Sequence, residues 1–286
     1  MEEERRTPLQ CQIDGIPYEA WEEPDLRWLK AYGTVFRVWD QLLTGNLCFG
    51  VEGKFGKLFV KYAGARTSGF RGQTADAIYT LQQAIPLYQR EHPALAKLLA
   101  YGSTGDGYAA IFEWRDALPL NGRLKYYSVR DQVRRMPLVN TLTMLENVID
   151  LHASLARDGI IASNFHDGHV LIDFGKNEAV VCGIDLYRRK PAYNIKGLMR
   201  GSPQFMAPEE SELDAALDET TTLYNMGALA FAFFGDNDDR TIKTWVGPKP
   251  LFQVAAKATK KKKSDRYPSM RAFQNAWREA VGWCRL

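Results

Sequence analysis

The feature that most constrains this chain is a change in the period of its apolar residues part-way along. Between Gly33 and Gly64 apolar and polar residues alternate around Gly and Asn breaks, and "TVFRVWD", "NLCFGVE" and "KLFVKYA" predict three successive strands of an antiparallel sheet. From Thr74 to Gln89 the period lengthens: Ala77, Ile78, Leu81, Ala84, Ile85 and Tyr88 fall one, three and four apart, a helical face. "HPALAKLLAYG" and "YAAIFEW" predict two further strands or turn–strand units, ending near Arg115. Beyond them the helical period dominates. Leu138, Leu142, Leu145, Ile149, His152 and Leu155 stripe a long helix that stops at Asp158-Gly159, "TLYNMGALAFAFFG" predicts a buried helix and "SMRAFQNAWREAV" an amphipathic one. An α+β protein is expected, with a lead-in over 1–32, a β-rich part over 33–115 and a mainly helical part over 116–286.

The chain has 286 residues, 45% of them hydrophobic, enough to bury a large core. Its 37 basic and 34 acidic residues nearly balance, so no chain-wide polybasic signature points to nucleic acid or to a membrane surface. The longest apolar run, Met226 to Gly235, is about half the roughly 20 residues needed to span a bilayer, and "MEEERRTPLQ" lacks the apolar stretch of a secretory signal. Cys11, Cys48, Cys182 and Cys284 show no Cys-x-x-Cys spacing, which points to a reducing compartment and a cytoplasmic location. The lysine-rich "KATKKKK" at 257–263 reads as a solvated loop.

"IDFGKNEAVVCGIDLY", residues 172–187, holds two aspartates that compete for one role. "HVLIDF" and "EAVVCGID" predict two short strands joined at Gly175-Lys176-Asn177. Asp173 then ends the first strand, Gly175 supplies the positive φ of the turn, and Asp185 emerges after the second strand.

After Asp185 comes Gly201-Ser202-Pro203-Gln204-Phe205-Met206-Ala207-Pro208-Glu209. Together with Val60-Lys61, His92-Pro93, Phe112-Glu113-Trp114, Leu151-His152 and Asp265-Arg266-Tyr267, in that order, it resembles the protein kinases, and within them a group of bacterial Ser/Thr-kinase-like proteins, over roughly Gly33 to Ala280. The resemblance implies a bilobal protein-kinase-like fold with ATP and Mg²⁺ as cofactors. It implies that Lys61 contacts the α- and β-phosphates, that Asp185 holds magnesium, and that the backbone from Phe112 through Glu113 and Trp114 to Arg115 meets the adenine edge. It also implies a structural Glu209–Arg266 pair.

Several positions depart from the family's pattern. Ala162-Ser163-Asn164 stands where His-Arg-Asp is usual, and an amide at 164 orients a hydroxyl without accepting its proton, a loss worth about 10²–10⁴ in rate. His169 replaces the metal-binding Asn, which favours one magnesium over two. Gln83 falls where a glutamate would pair with Lys61. The phosphate loop, Asp40 to Asn46, has the single glycine Gly45, and Asp40 repels phosphate unless it is turned away. Two residues of the 162–169 loop keep two readings each. Asp167 is a relocated base or a loop-capping aspartate, and His166 is a phosphate-facing donor or an ordinary loop residue.

The leading expectation is a nucleotide-binding pseudokinase that works through a protein partner, without nucleic-acid binding or a membrane span. One alternative is an active Ser/Thr kinase using Asp167, supported by a hydroxyl at Ser202. The other is a small-molecule phosphotransferase, against which the 202–210 segment argues, since that segment shapes a peptide-binding surface in protein kinases.

Overall fold

Residues from Cys11 to Tyr32 contribute to the core of the β-rich part. In the computed structural model, which describes residues 7–195, 197 and 202–284, β1 (Leu9–Ile13) and β2 (Ile16–Ala20) form a hairpin whose turn residues Asp14 and Gly15 both have positive φ, 49° and 84°. Asp-Gly between alternating residues is a strong hairpin signal, which the reading of a polar lead-in passed over. Cys11, Tyr18, Ala20 and Leu29 pack with Val35, Phe49, Val51 and Val60 in one cluster.

The protein is α+β with antiparallel sheets, and it divides into two compact units. The first runs to Glu91 and includes Ala96–Arg115; the second comprises His92–Leu95 and Asp116 onward. In the first, β3 (Thr34–Trp39), β4 (Leu47–Gly53), β5 (Gly56–Ala63), β6 (Leu98–Thr104) and β7 (Gly107–Glu113) make a five-stranded sheet in the order β3-β4-β5-β7-β6. Helix α1 (Thr74–Tyr88) buries Ala77, Leu81, Ala84, Ile85 and Tyr88, the face predicted by spacing. Ile78 is only half-buried at the edge of that face.

In the second unit β8 (Leu118–Pro119) precedes the short helix α2 (Val129–Arg134) and the long helix α3 (Leu138–Arg157), which stops at Asp158 with Gly159 at φ 72°. The two-residue strand β9 (Ile160–Ile161) leads to the hairpin of β10 (Val170–Asp173) and β11 (Glu178–Val181), which is antiparallel and carries β8 on its other edge. The hairpin lies where the sequence put it, but its positive φ is at Asn177, 55°, and not at Gly175. The turn is closed by Asp173, whose Oδ1 accepts the Lys176 N–H at 3.0 Å. An Asx-type cap relieves Gly175 of the left-handed conformation and passes it to the next residue that tolerates it. The pairs β12 (Arg188–Arg189) with β9 and β13 (Ala192–Tyr193) with β14 (Ala216–Leu217) come next, then the buried α4 (Glu219–Phe234), α5 (Lys249–Ala258) and the terminal α6 (Met270–Cys284). No helix among the described residues is long and apolar enough to cross a membrane.

Candidate functional site

In the first unit, β5 places Lys61 opposite Cys48 and Ala110, and its side chain is buried. A buried ammonium requires acceptors. The Lys61 Nζ donates to the Tyr88 hydroxyl at 2.8 Å and sits 4.9 Å from the Tyr88 ring centroid and 5.6 Å from that of Phe112. Gln83 does not take this position. It is exposed on α1, two residues and therefore roughly 200° around the helix from the buried Leu81. Tyr88 was visible in the sequence as a member of the buried stripe, but an aromatic on such a face reads first as core.

The turn from Asp40 to Asn46 is closed on itself. Asp40 is indeed turned away: its Oδ2 accepts the Glu19 N–H at 2.6 Å. Gly45 has φ 79° and donates its N–H to the Leu42 carbonyl, and a Cβ there would lie 2.6 Å from the Phe70 ring and 2.9 Å from Ala77. Gln41 donates to Ser68 Oγ at 2.8 Å, and Gly69 presses against the Gln41 backbone. Phe70 and its neighbours thus cover the single glycine, and nothing in the sequence marked that segment.

Next along the first unit, Phe112 is buried against Tyr88, and Trp114 packs edge-on against Phe36 at 5.0 Å. Glu113 lies 3.6 Å from both Lys97 and Arg115.

In the second unit the 162–169 loop is buried from Ala162 to Phe165 and at Asp167, and half-buried at His166, Gly168 and His169. Asn164 has φ 60°, a left-handed conformation that asparagine tolerates better than most residues. Its N–H donates to Glu210 Oε1 at 3.1 Å, and its own Oδ1 is buried without a hydrogen-bond donor. Glu210 Oε2 accepts from the Ala207 N–H at 2.8 Å and from Asn225 Nδ2 at 3.2 Å. Burial pushes the Glu210 carboxyl above its usual range despite these donors.

Asp167 is buried and bonded to the Arg130 guanidinium through Nε at 3.0 Å and through Nη2. Burial pushes its pKa up, but the neighbouring His166, 3.8 Å away, and the bonded Arg130 charge outweigh that and hold it below the ordinary carboxylate range. A carboxylate so stabilised is a poor proton acceptor. His166 Nδ1 accepts the Gly168 N–H at 3.0 Å, and its ring lies against that of His169 with centroids 4.0 Å apart. His169 also packs on Gly183, where a Cβ would come within 2.3 Å of the imidazole.

Asp185 follows β11 and is buried. No group of three or more His, Cys, Asp or Glu side chains suited to a metal ion occurs among the described residues. Asp185 and His169 are the two side chains that the resemblance would assign to metal, and an imidazole nitrogen suits magnesium less well than an oxygen does.

The Glu209–Arg266 pair is present and buried. Nη1 and Nη2 of Arg266 reach Oε1 and Oε2 at 2.7 and 2.9 Å, the bidentate fork expected of this pairing. Nε donates to the Lys260 carbonyl, Nη2 also to that of Lys261, and Thr221 adds a bond to Glu209 at 2.8 Å. Burial pushes Glu209 up, yet Arg266 and Thr221 bring it below its usual value. Ser202 is half-buried, with its carbonyl accepting from Phe205 and Met206; Gly201 lies outside the described residues. The chain matches no family model and no curated protein.

Proposed function

We propose that this chain is a pseudokinase: a protein with the bilobal fold of the bacterial Ser/Thr-kinase-like group, weak in nucleotide binding and without efficient phosphoryl transfer, acting through a protein partner. Lys61 would meet the α- and β-phosphates, Asp185 one Mg²⁺, and the 112–115 backbone the adenine edge. Magnesium, when bound, would neutralise phosphate charge.

The observation that carries this reading is Asn164. At the position matched to the family's catalytic aspartate stands a buried amide in a left-handed backbone, tied through its N–H to Glu210. An amide takes no proton. Two contacts support the same conclusion: Asp167 is fixed by Arg130, which disfavours the relocated base of the active-kinase alternative, and Phe70 lies on Gly45 where a phosphate loop would present its N–H groups.

The test has two parts. Calorimetry with ATP and Mg²⁺ should give binding well above micromolar, weakened further by Lys61→Ala. Single-turnover transfer from labelled ATP to a generic basic protein and to the chain itself should be near background, and Asn164→Asp should raise it only slightly. Brisk transfer by the unaltered chain, abolished by Asp167→Ala, would overturn the reading.

A further inference from the structure

The near balance of charge over the whole chain conceals a local excess. Residues 121–136 contain five basic side chains (Arg123, Lys125, Arg130, Arg134 and Arg135) against the single acidic Asp131, in a chain whose formal net charge is +3. This segment folds tightly. Arg123 and Ser128 form an antiparallel bridge, Leu124 N–H donates to the Tyr127 carbonyl, and Ser128 Oγ caps α2 by accepting the Asp131 N–H. Between this loop, α2 and Asp236 lies an open cavity of about 580 Å³, within the range of small-ligand sites. It belongs wholly to the second unit.

The charged groups on its wall differ in what they already hold. Asp131 is bonded to Ser128 Oγ at 2.7 Å and to Arg134 at 3.3 Å. Asp236 closes its own turn by accepting the Asp238 N–H at 2.7 Å. Arg130 is anchored on Asp167 through Nε and Nη2, which leaves Nη1 outside that pair. Arg134 donates from Nη2 to the Gly235 carbonyl, but its Nε is buried and meets no acceptor of the protein. Arg123 is exposed and has no ion-pair partner among the described residues.

A buried donor without an acceptor is uncommon and calls for a reason. Three guanidinium groups around one cavity suit an oxyanion with several acceptor oxygens: Arg123 offers its whole planar fork, and Arg130 and Arg134 the N–H groups that their protein partners leave over. Burial, with Arg130 alongside, pushes the Arg134 pKa below its usual value, so a negative charge at this point would stabilise it.

We propose that this cavity binds a phosphate monoester, with Arg123 and Arg134 as donors, Arg130 held in place for the same task by Asp167, and Tyr126 and Tyr127 flanking the organic part. Two carboxylates also line the cavity, which favours a ligand that brings N–H groups beside its phosphate, as a phosphorylated peptide does. None of Lys61, Asn164 or Asp185 takes part. The inference therefore does not depend on the kinase-like reading.

The experiment is fluorescence anisotropy with a labelled Gly-Gly-phosphoserine-Gly-Gly peptide, its unphosphorylated twin, and inorganic phosphate as competitor. The phosphopeptide should bind, the twin should not, and Arg123→Glu should weaken binding by about tenfold or more, the weight of at least one charge-assisted hydrogen bond. Arg123 is exposed and unpaired, so that variant should melt like the unaltered protein; Arg134→Gln, checked by circular dichroism, gives a second point. Phosphate competing at the peptide's own affinity assigns the site to a small free phosphate, and much weaker competition assigns it to a phosphorylated chain; both support a phosphate site. Absence of binding by phosphopeptide and phosphate alike at millimolar concentration, or binding untouched by Arg123→Glu, overturns it. ATP titration of the same variants reports separately on the kinase-like reading.

Discussion

Two regions of the molecule are held in opposite ways. The turn from Asp40 to Asn46 is pinned by packing and neutral contacts: Phe70 on Gly45, Gln41 on Ser68, Asp40 on a backbone N–H. The junction of Glu209 with Arg266 is held by a desolvated, bidentate ion pair with further bonds to the Lys260, Lys261 and Thr220 carbonyls. The first, which on the pseudokinase reading would face a ligand, is covered by Phe70. The second positions the chain and keeps full charge in the interior. Parts that hold the fold together are thus separable from parts that would perform chemistry, and each responds to a different perturbation.

The largest expected effect is at the ion pair. Arg266→Ala leaves Glu209 buried with only the Thr221 hydroxyl and the Lys263 ammonium, 3.9 Å away, and should cost about 3 kcal/mol or more, read as a clearly lower midpoint in urea or heat. A melt indistinguishable from that of the unaltered protein would mean that this ion pair does not hold the junction.

The second test uses pH. His152 is fully buried, donates from Nδ1 to the Val148 carbonyl at 2.8 Å and lies 2.6 Å from the Tyr187 hydroxyl through Nε2; burial pushes its pKa down to about 4. The unfolded chain takes up this proton near pH 6.5 and the folded one does not. Stability is therefore full above pH 6.5 and falls as pH drops toward 4, by up to about 3 kcal/mol. Denaturant midpoints at pH 7.5, 6 and 5 should show this slope, and His152→Gln should flatten it. The lowered Glu209 adds its own loss further into acid, in the same direction, as its charge is neutralised.

A smaller effect sharpens the other side of the comparison. Gly45→Ala combines a left-handed φ with a methyl inside the Phe70 ring contact and should destabilise by about 2 kcal/mol. Phe70→Ala made alongside should recover the steric part. If the two changes are simply additive, Phe70 does not crowd Gly45 in solution. On the pseudokinase reading, Phe70→Ala alone should also tighten ATP binding.

The smallest effect is at Asn164. Glycine there relieves the positive φ and removes a buried oxygen that has no donor, so Asn164→Gly should stabilise by about 1 kcal/mol or less. Asn164→Asp should instead destabilise, because it sets a second carboxylate beside the buried Glu210.

Much of the fold was legible because it rests on local periods: three strands, α1 and α3 within a residue or two, and the β10–β11 hairpin all follow from spacing. The β1–β2 hairpin was legible too, in Asp14-Gly15, but Trp and charged neighbours masked its apolar alternation. The site was less so. That Glu209 and Arg266 pair was implied by the resemblance through the two motifs to which they belong. The engagement of Lys61 by Tyr88, the cover of Gly45 by Phe70 and the anchoring of Asp167 by Arg130 are tertiary contacts between segments 25 to 37 residues apart, with no periodic or motif signal. Glu210 illustrates the limit: beside Glu209 in sequence, it forms no ion pair among the described residues and caps the Asn164 backbone instead.

The grip of Arg266 on the carbonyls of Lys260 and Lys261 has a consequence for how this surface can vary. The path of the lysine-rich loop is fixed through main-chain oxygens, which every residue type supplies. Lys260, Lys261 and Lys262 are exposed, and their side chains contribute nothing to that path. Acetylation or substitution there would rewrite the electrostatic face of the second unit while leaving the backbone beneath it in place.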